Sequence, residues 1–139
     1  IKKHDLSDSL YEQALEIDPE NVMVLNNYAY YLSLRKINLA KAKQMSLKCN
    51  TIEKDNGTYQ DTYAWVLYQL AEYVEAKEWM QKSLANGSAT SAVVVEHYGD
   101  ILYQLGEINE ALIQWKKAKE FGKASELLNQ KIEEGKLYE

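Results

Sequence analysis

Apolar residues recur along this chain at spacings of three and four, the period of a helix with one buried face. Leu25, Tyr28, Ala29 and Leu32 make one such stripe, and Leu39, Ala42, Met45, Ser46 and Cys49 make a second. Polar turns separate the stripes: RKIN at 35–38, LAEY at 70–73 and LGEI at 105–108. Longer turn-forming stretches, DPEN at 18–21, KDNG at 54–57 and NGSATS at 86–91, separate one pair of stripes from the next. The pattern predicts helices arranged in consecutive antiparallel pairs.

The pairs repeat. The tetrapeptide LYQL begins at Leu67 and again at Leu102, 35 residues on, and its surroundings repeat with it. Sliding the chain by 34 or 35 residues brings Ala29, Ala64 and Gly99 into register, all small. Tyr28, Tyr63 and Tyr98 precede them, and Leu32, Leu67 and Leu102 follow. In the second helices Ser7, Ala42, Ala76 and Ala111 coincide, as do Ala14, Cys49, Ser83 and Ala118. A small residue on each helix lets the two backbones approach closely, with Tyr11, Met80 and Trp115 expected to fill the notch beside it. Ser46 underfills its slot.

Composition agrees with this reading and narrows the function. Of 139 residues 46% are hydrophobic and 27% charged, enough apolar area for a packed core. One Pro and six Gly among many Ala, Leu, Lys, Glu and Gln favour helix. A net charge of −5 with no basic run argues against nucleic acid as a partner. The lone cysteine, Cys49, excludes an internal disulfide and falls where a small buried residue is needed. No apolar stretch of about 18 residues is present to span a membrane. No signal peptide is visible, and the start IKKHDLSDSL lacks an initiator Met.

At this point the residues resemble the tetratricopeptide repeat family. The stretch VEHYGDILYQLGEINEALIQWKKAKEFG places Gly99, Gly106, Ala111, Trp115 and Ala118 in that family's slots, and YEQALEIDPENV carries its closing signature with Ala14 and Pro19. The resemblance extends to Gly122. Departures are Lys54 and Ser88 for the closing Pro, Ala29 and Ala64 for Gly, Lys36 and Ala71 for the turn Gly, and one extra residue in each of the first two units. The resemblance implies an all-α fold, a right-handed α-solenoid of helix-turn-helix units with a C-terminal capping helix.

Residues 1–20 are expected to be the second helix of a truncated unit, with its helix over Leu6 to Ile17. Three whole units follow at 21–56, 57–91 and 92–122, then a capping helix and tail at 123–139. In that helix Ala124, Leu127, Leu128 and Ile132 face the solenoid, and Glu126, Gln130 and Glu133 face water. One capped and one raw end suggest a C-terminal piece of a longer protein. The raw end leaves Leu10 and Leu15 available for self-association. The central stretch also resembles the last repeats of large bacterial proteins of this family, several of them envelope lipoproteins or periplasmic scaffolds. That likeness favours the periplasm or outer-membrane periphery over the cytoplasm.

Chemistry is sparse. His4 and His97 have no second metal ligand three or four residues away, and no HExxH, GxSxG, phosphate loop or calcium loop occurs. No enzyme activity, metal or cofactor is expected. In the family the first helix of each unit lines a groove. A stripe offset from the core stripe reads Asn26, Tyr30, Ser33, then Asp61, Trp65, Tyr68, then Glu96, Asp100, Tyr103, with Asn27, Thr62 and His97 adjoining. The expected partner-binding residues are Asn26, Asn27, Tyr30, Asp61, Trp65, Tyr68, Glu96, His97, Asp100 and Tyr103. Stacked aromatics flanked by acids suit a peptide or helix with apolar anchors and some Lys or Arg.

Trp65 and Tyr68 either stand open in the groove, the reading favoured here, or pack between helices. Tyr28, Tyr63 and Tyr98 share the core stripe and are expected to be packed. The family's best-known groove chemistry is a clamp of Lys, Asn and Arg that grips an acidic tail. Its basic slots hold Asn26, Asp61 and Glu96 here, so no acidic C-terminal tail is expected as partner. A protein-interaction scaffold is thus the leading reading, and a glycan or cell-wall-fragment module using the aromatic stripe is the alternative.

Overall fold

The structure, a computed structural model, describes residues 2–139, with side chains from Leu6 onward. The side chain of His4 lies outside the described residues. Among those described, the chain forms eight helices and no strand: α1 (Lys2–Ile17), α2 (Val22–Arg35), α3 (Leu39–Ile52), α4 (Gly57–Gln69), α5 (Tyr73–Ser83), α6 (Ala92–Gln104), α7 (Ile108–Phe121) and α8 (Leu128–Glu134). Helices α2 and α3, α4 and α5, and α6 and α7 pack as hairpins, and the first helices α2, α4 and α6 lie side by side. Helix α1 packs on α2, and it begins at Lys2, ahead of the expected Leu6.

Local chemistry sets the same start and stop in every unit. The caps of α2, α4 and α6 are Asn21, Asn56 and Ser91, each 35 residues after the last. Their side chains accept from the N–H of Val24 at 3.2 Å, Tyr59 at 3.1 Å and Val94 at 3.4 Å. Each cap stabilises its helix by about 1 kcal/mol. The other ends repeat as well. Lys36, Ala71 and Gly106 take left-handed backbone with φ of 56°, 60° and 83°. The N–H groups of Ile37, Glu72 and Glu107 donate back to the carbonyls of Leu32, Leu67 and Leu102 at 3.2, 2.9 and 2.9 Å. This is the Schellman closure, which favours glycine at the left-handed position. Unit three has glycine there, while Lys36 and Ala71 hold the same turn against the steric penalty of a Cβ.

Three apolar clusters run through the stack, one centred on Ala29, Leu32 and Cys49, one on Ala64, Leu67 and Met80, and one on Leu102, Ala111 and Trp115. The small residues Ala29, Ala42, Ala64, Ala76, Ala111 and Ala118 are fully buried. Met80 and Trp115 fill their notches completely, and Tyr11 stacks on Tyr28 at 5.1 Å between ring centres. Gly99 is needed where it stands: a Cβ there would lie 2.4 Å from the Trp115 ring. Ser46 is fully buried, and its Oγ has no hydrogen-bond partner among the described residues. Tyr28 and Tyr63 are core residues, and Tyr98 is half-buried between two clusters. Burial pushes the Cys49 thiol up to about 12, so it is not a ready nucleophile.

The C-terminal segment differs from expectation. The apolar pattern predicts one helix covering the last unit, but α8 has only seven residues, and 123–127 approach it without helix. The reason is a competing bond: the Ser125 N–H donates to Glu96 Oε1 at 2.8 Å, and its hydroxyl donates to Glu96 Oε2. That capture holds the segment off the helical path. Ala124, Leu128 and Ile132 nevertheless pack on the third cluster, and Glu126, Gln130 and Glu133 face solvent. At the other end Leu10 is 56% exposed, and Leu15 is half-buried against the first cluster.

Candidate functional site

A cleft of about 410 Å3 opens along the inner face formed by α2, α4 and α6, and the C-terminal segment closes one side of it. Tyr30 and Leu34 of α2, Trp65 and Gln69 of α4, and Val93 and His97 of α6 line it, with Leu127, Tyr138 and Glu139 opposite. The structure therefore brings together Tyr30, Trp65, Glu96, His97 and Asp100 from the expected set. The side-by-side packing of first helices places them there, since positions one unit apart fall on adjacent helices.

The rest of the set is distributed differently. Asn27 is exposed and Asn26 buried, and neither lines the cleft. Tyr103 packs against Trp115, its ring centre 5.8 Å away, on the third cluster. Tyr68 is 4% exposed and belongs to the second cluster, so it packs between helices rather than standing open. Trp65 lies between the two readings. It lines the cleft, but His97 stacks parallel on it at 3.8 Å and Tyr68 meets it edge-on at 4.4 Å.

The acids carry the largest correction. Asp61, Glu96 and Asp100 were expected to offer charge to a basic partner, yet all three are buried and paired within the chain. Asp61 Oδ1 is 3.1 Å from His97 Nδ1. Lys131 of α8 donates to Glu96 Oε2 at 2.7 Å and to Asp100 Oδ1 at 2.9 Å, and the Trp115 N–H donates to Asp100 at 3.0 Å. A buried carboxylate without such partners costs several kcal/mol, so the fold supplies them. Burial opposes ionisation of Glu96, but Lys131 and Ser125 hold its carboxyl below the usual range. Burial likewise opposes the charge on His97, and Asp61 raises its imidazole above the ordinary value. The two carboxylates share one ammonium, so burial wins at Asp100 and its carboxyl rises to about 6.

Sequence reasoning missed Lys131, Ser125, Leu34, Lys36 and the 136–139 tail. Lys131, Ser125 and the tail lie outside the repeat period, Leu34 and Lys36 carry it without the aromatic or acidic type that marked the stripe, and a lysine in a polar helix reads as solvated. One polar atom of the cleft lining, the Trp65 indole Nε1, is buried without a hydrogen-bond partner among the described residues, and so is Asn26 Oδ1 outside the lining. Among the described residues no group of three or more His, Cys, Asp or Glu is placed to hold a metal ion. No helix among them is long and apolar enough to cross a membrane.

Residues 10–45 match the family model described as Tetratricopeptide repeat. The chain is 25% identical over 85 residues to the TPR repeat-containing protein PA4667 of Pseudomonas aeruginosa, a match covering 60% of this chain and 14% of that protein. Among solved structures it resembles pilF of Pseudomonas aeruginosa with a TM-score of 0.76 and 25% identity, over 96% of this chain and 61% of that one. It shares its fold with MamA at a TM-score of 0.70 and 22% identity, over 84% and 68% of the two chains. It does so too with YrrB, a TPR protein with an unusual peptide-binding site, at 0.67 and 20% over 86% and 61%.

Proposed function

We propose that this chain, a solenoid similar to tetratricopeptide repeat proteins, is a non-enzymatic scaffold holding a peptide or helix of a partner protein along its inner face. The units run over 21–56, 57–91 and 92–122, so the partner contacts three successive first helices. The observation that carries the reading is the cleft itself. Tyr30, Leu34, Trp65 and Val93 line it with apolar surface, and the buried Trp65 indole N–H has no acceptor among the described residues. An apolar trough with a few unsatisfied polar atoms is what a peptide fills. YrrB, a similar fold with a peptide-binding site, and the Pseudomonas relative are consistent with a bacterial interaction module.

Because the acids are neutralised internally, the partner's main contribution is apolar side chains rather than lysine or arginine. The glycan reading is the weaker one, since His97 already covers one face of the Trp65 ring that a sugar would use. The test is affinity capture from native lysate with the wild type beside Trp65→Ala and Val93→Glu, all shown equally helical by circular dichroism. A partner lost from both variants supports the inner face. A partner kept by both moves the site to the outer face or the N-terminal end.

A further inference from the structure

The end of the inner face is already occupied by the chain's own tail. After α8, Gly135 turns the backbone with φ of 61°, and residues 136–139 run without helix across the first helices. Leu137 packs between the second and third apolar clusters. Glu139 Oε1 accepts a hydrogen bond from the Tyr68 hydroxyl, and its Oε2 lies 3.5 Å from Lys36 Nζ. Gln104 Nε2 donates to the same Tyr68 oxygen at 3.4 Å, which turns the hydroxyl proton toward the carboxylate. Lys36, Tyr68 and Gln104 come from three successive units, so the contacts form one recognition set across the repeat.

The contacts differ in weight. Lys36 and Glu139 are 57% and 42% exposed at their side chains, and such a bridge contributes little. Tyr68 is 4% exposed, and Glu139 is the acceptor for its hydroxyl, so the carboxylate satisfies a buried donor. First helices end here, and their carbonyl ends repel an anion, which makes the Tyr68 donor decisive. The tail itself is lightly held compared with α8, which Lys131 ties to Glu96 and Asp100.

We infer that this end of the inner face is a receptor for a short extended segment bearing an aliphatic residue and, two positions later, a carboxylate, and that residues 136–139 fill it in cis. A partner segment of the same chemistry must displace the tail. The inference deepens the scaffold reading and rests on it. It also departs from the expectation of no acidic tail, because the acceptor is met by Tyr68 rather than by a clamp of basic residues.

The test is fluorescence polarisation with a labelled, C-terminally amidated GKLYE peptide, the sequence of residues 135–139, whose amide leaves the glutamate as its only carboxylate. Three proteins are compared: wild type, Leu137→Ala with Glu139→Gln to vacate the site, and that variant carrying Tyr68→Phe as well. The vacated variant is expected to bind about tenfold tighter than wild type, and Tyr68→Phe or a Gln-for-Glu peptide to lose about tenfold. Equal binding by wild type and vacated variant, or binding indifferent to Tyr68→Phe, overturns the inference. Val93→Glu lies at the far end of α6 from Gln104 and separates the two readings. Capture sensitive to Val93→Glu with no peptide binding sinks the tail receptor alone. Tyr68-dependent peptide binding with capture indifferent to Val93→Glu sinks the broader groove reading alone.

Discussion

Lys131 Nζ lies 2.7 Å from Glu96 Oε2, with both side chains 4% exposed. This contact, 35 residues apart in sequence, joins the short C-terminal helix to the last first helix, and a second acid, Asp100, shares the same ammonium. Replacing Lys131 with Met keeps the stem and removes the charge, leaving two carboxylates buried together. The expected loss is about 3–5 kcal/mol of unfolding free energy, read by urea denaturation. A loss under about 1 kcal/mol would mean that α8 is only loosely seated.

Stability should rise as pH falls through the titration of His97 and then through about 6, where Asp100 takes up its proton. His97 has a folded pKa above its unfolded value, so its contribution is complete below the unfolded pKa and is lost as pH rises through the folded one. Asp100, at about 6 in the fold, holds a proton that the unfolded chain has released, which relieves its burial as pH drops. Glu96 works the other way and loses its contribution as the solution becomes more acidic than its unfolded pKa. Denaturation midpoints across this range should therefore peak on the acidic side of neutrality. His97→Gln should flatten the upper part of the curve and Asp100→Asn the lower part. Identical slopes in both variants and the wild type would show that these groups are not coupled to folding.

Ala71→Gly should stabilise the protein by about 1 kcal/mol, because Ala71 sits at φ 60° where its Cβ is strained. Gly106→Ala, at the matching position of unit three with φ 83°, should destabilise by a similar amount. Thermal melts of the two variants would check the pair. Shifts of the same sign would contradict the shared turn geometry.

Gly99→Ala should cost about 1–3 kcal/mol, since the new methyl meets Trp115 Cδ1 at 2.4 Å and the indole has no space to retreat. Ala64 is the equivalent residue of unit two and is tolerated because Met80, not Trp, fills the notch there. The double change Gly99→Ala, Trp115→Met should recover most of the loss. Near-UV circular dichroism and melting temperature would show whether it does.

Much of the architecture was legible because a solenoid writes its packing into a period. Ala29, Ala64 and Gly99 had to be small, Leu32, Leu67 and Leu102 had to be buried, and each constraint is local to one hairpin and its neighbour. The caps at Asn21, Asn56 and Ser91 are equally periodic and equally local. Tyr30, Trp65 and His97 could be placed on the inner face for the same reason: register on adjacent first helices is repeated along the chain.

The sequence by itself determined the repeat, the helix pairs and the face that each stripe would present. Tertiary structure alone decided what meets that face. Lys131, Ser125, Leu137 and Glu139 come from a segment outside the period, so nothing in the spacing tied them to Glu96 or Tyr68. Burial made the choice. Acids brought into a low-dielectric interior needed partners: Asp61 met His97 of the next unit, while Glu96 and Asp100 took Lys131 and Ser125 from beyond the last repeat. An acidic stripe that looked open to a basic ligand therefore became a neutral wall, and the cleft beside it kept the apolar surface.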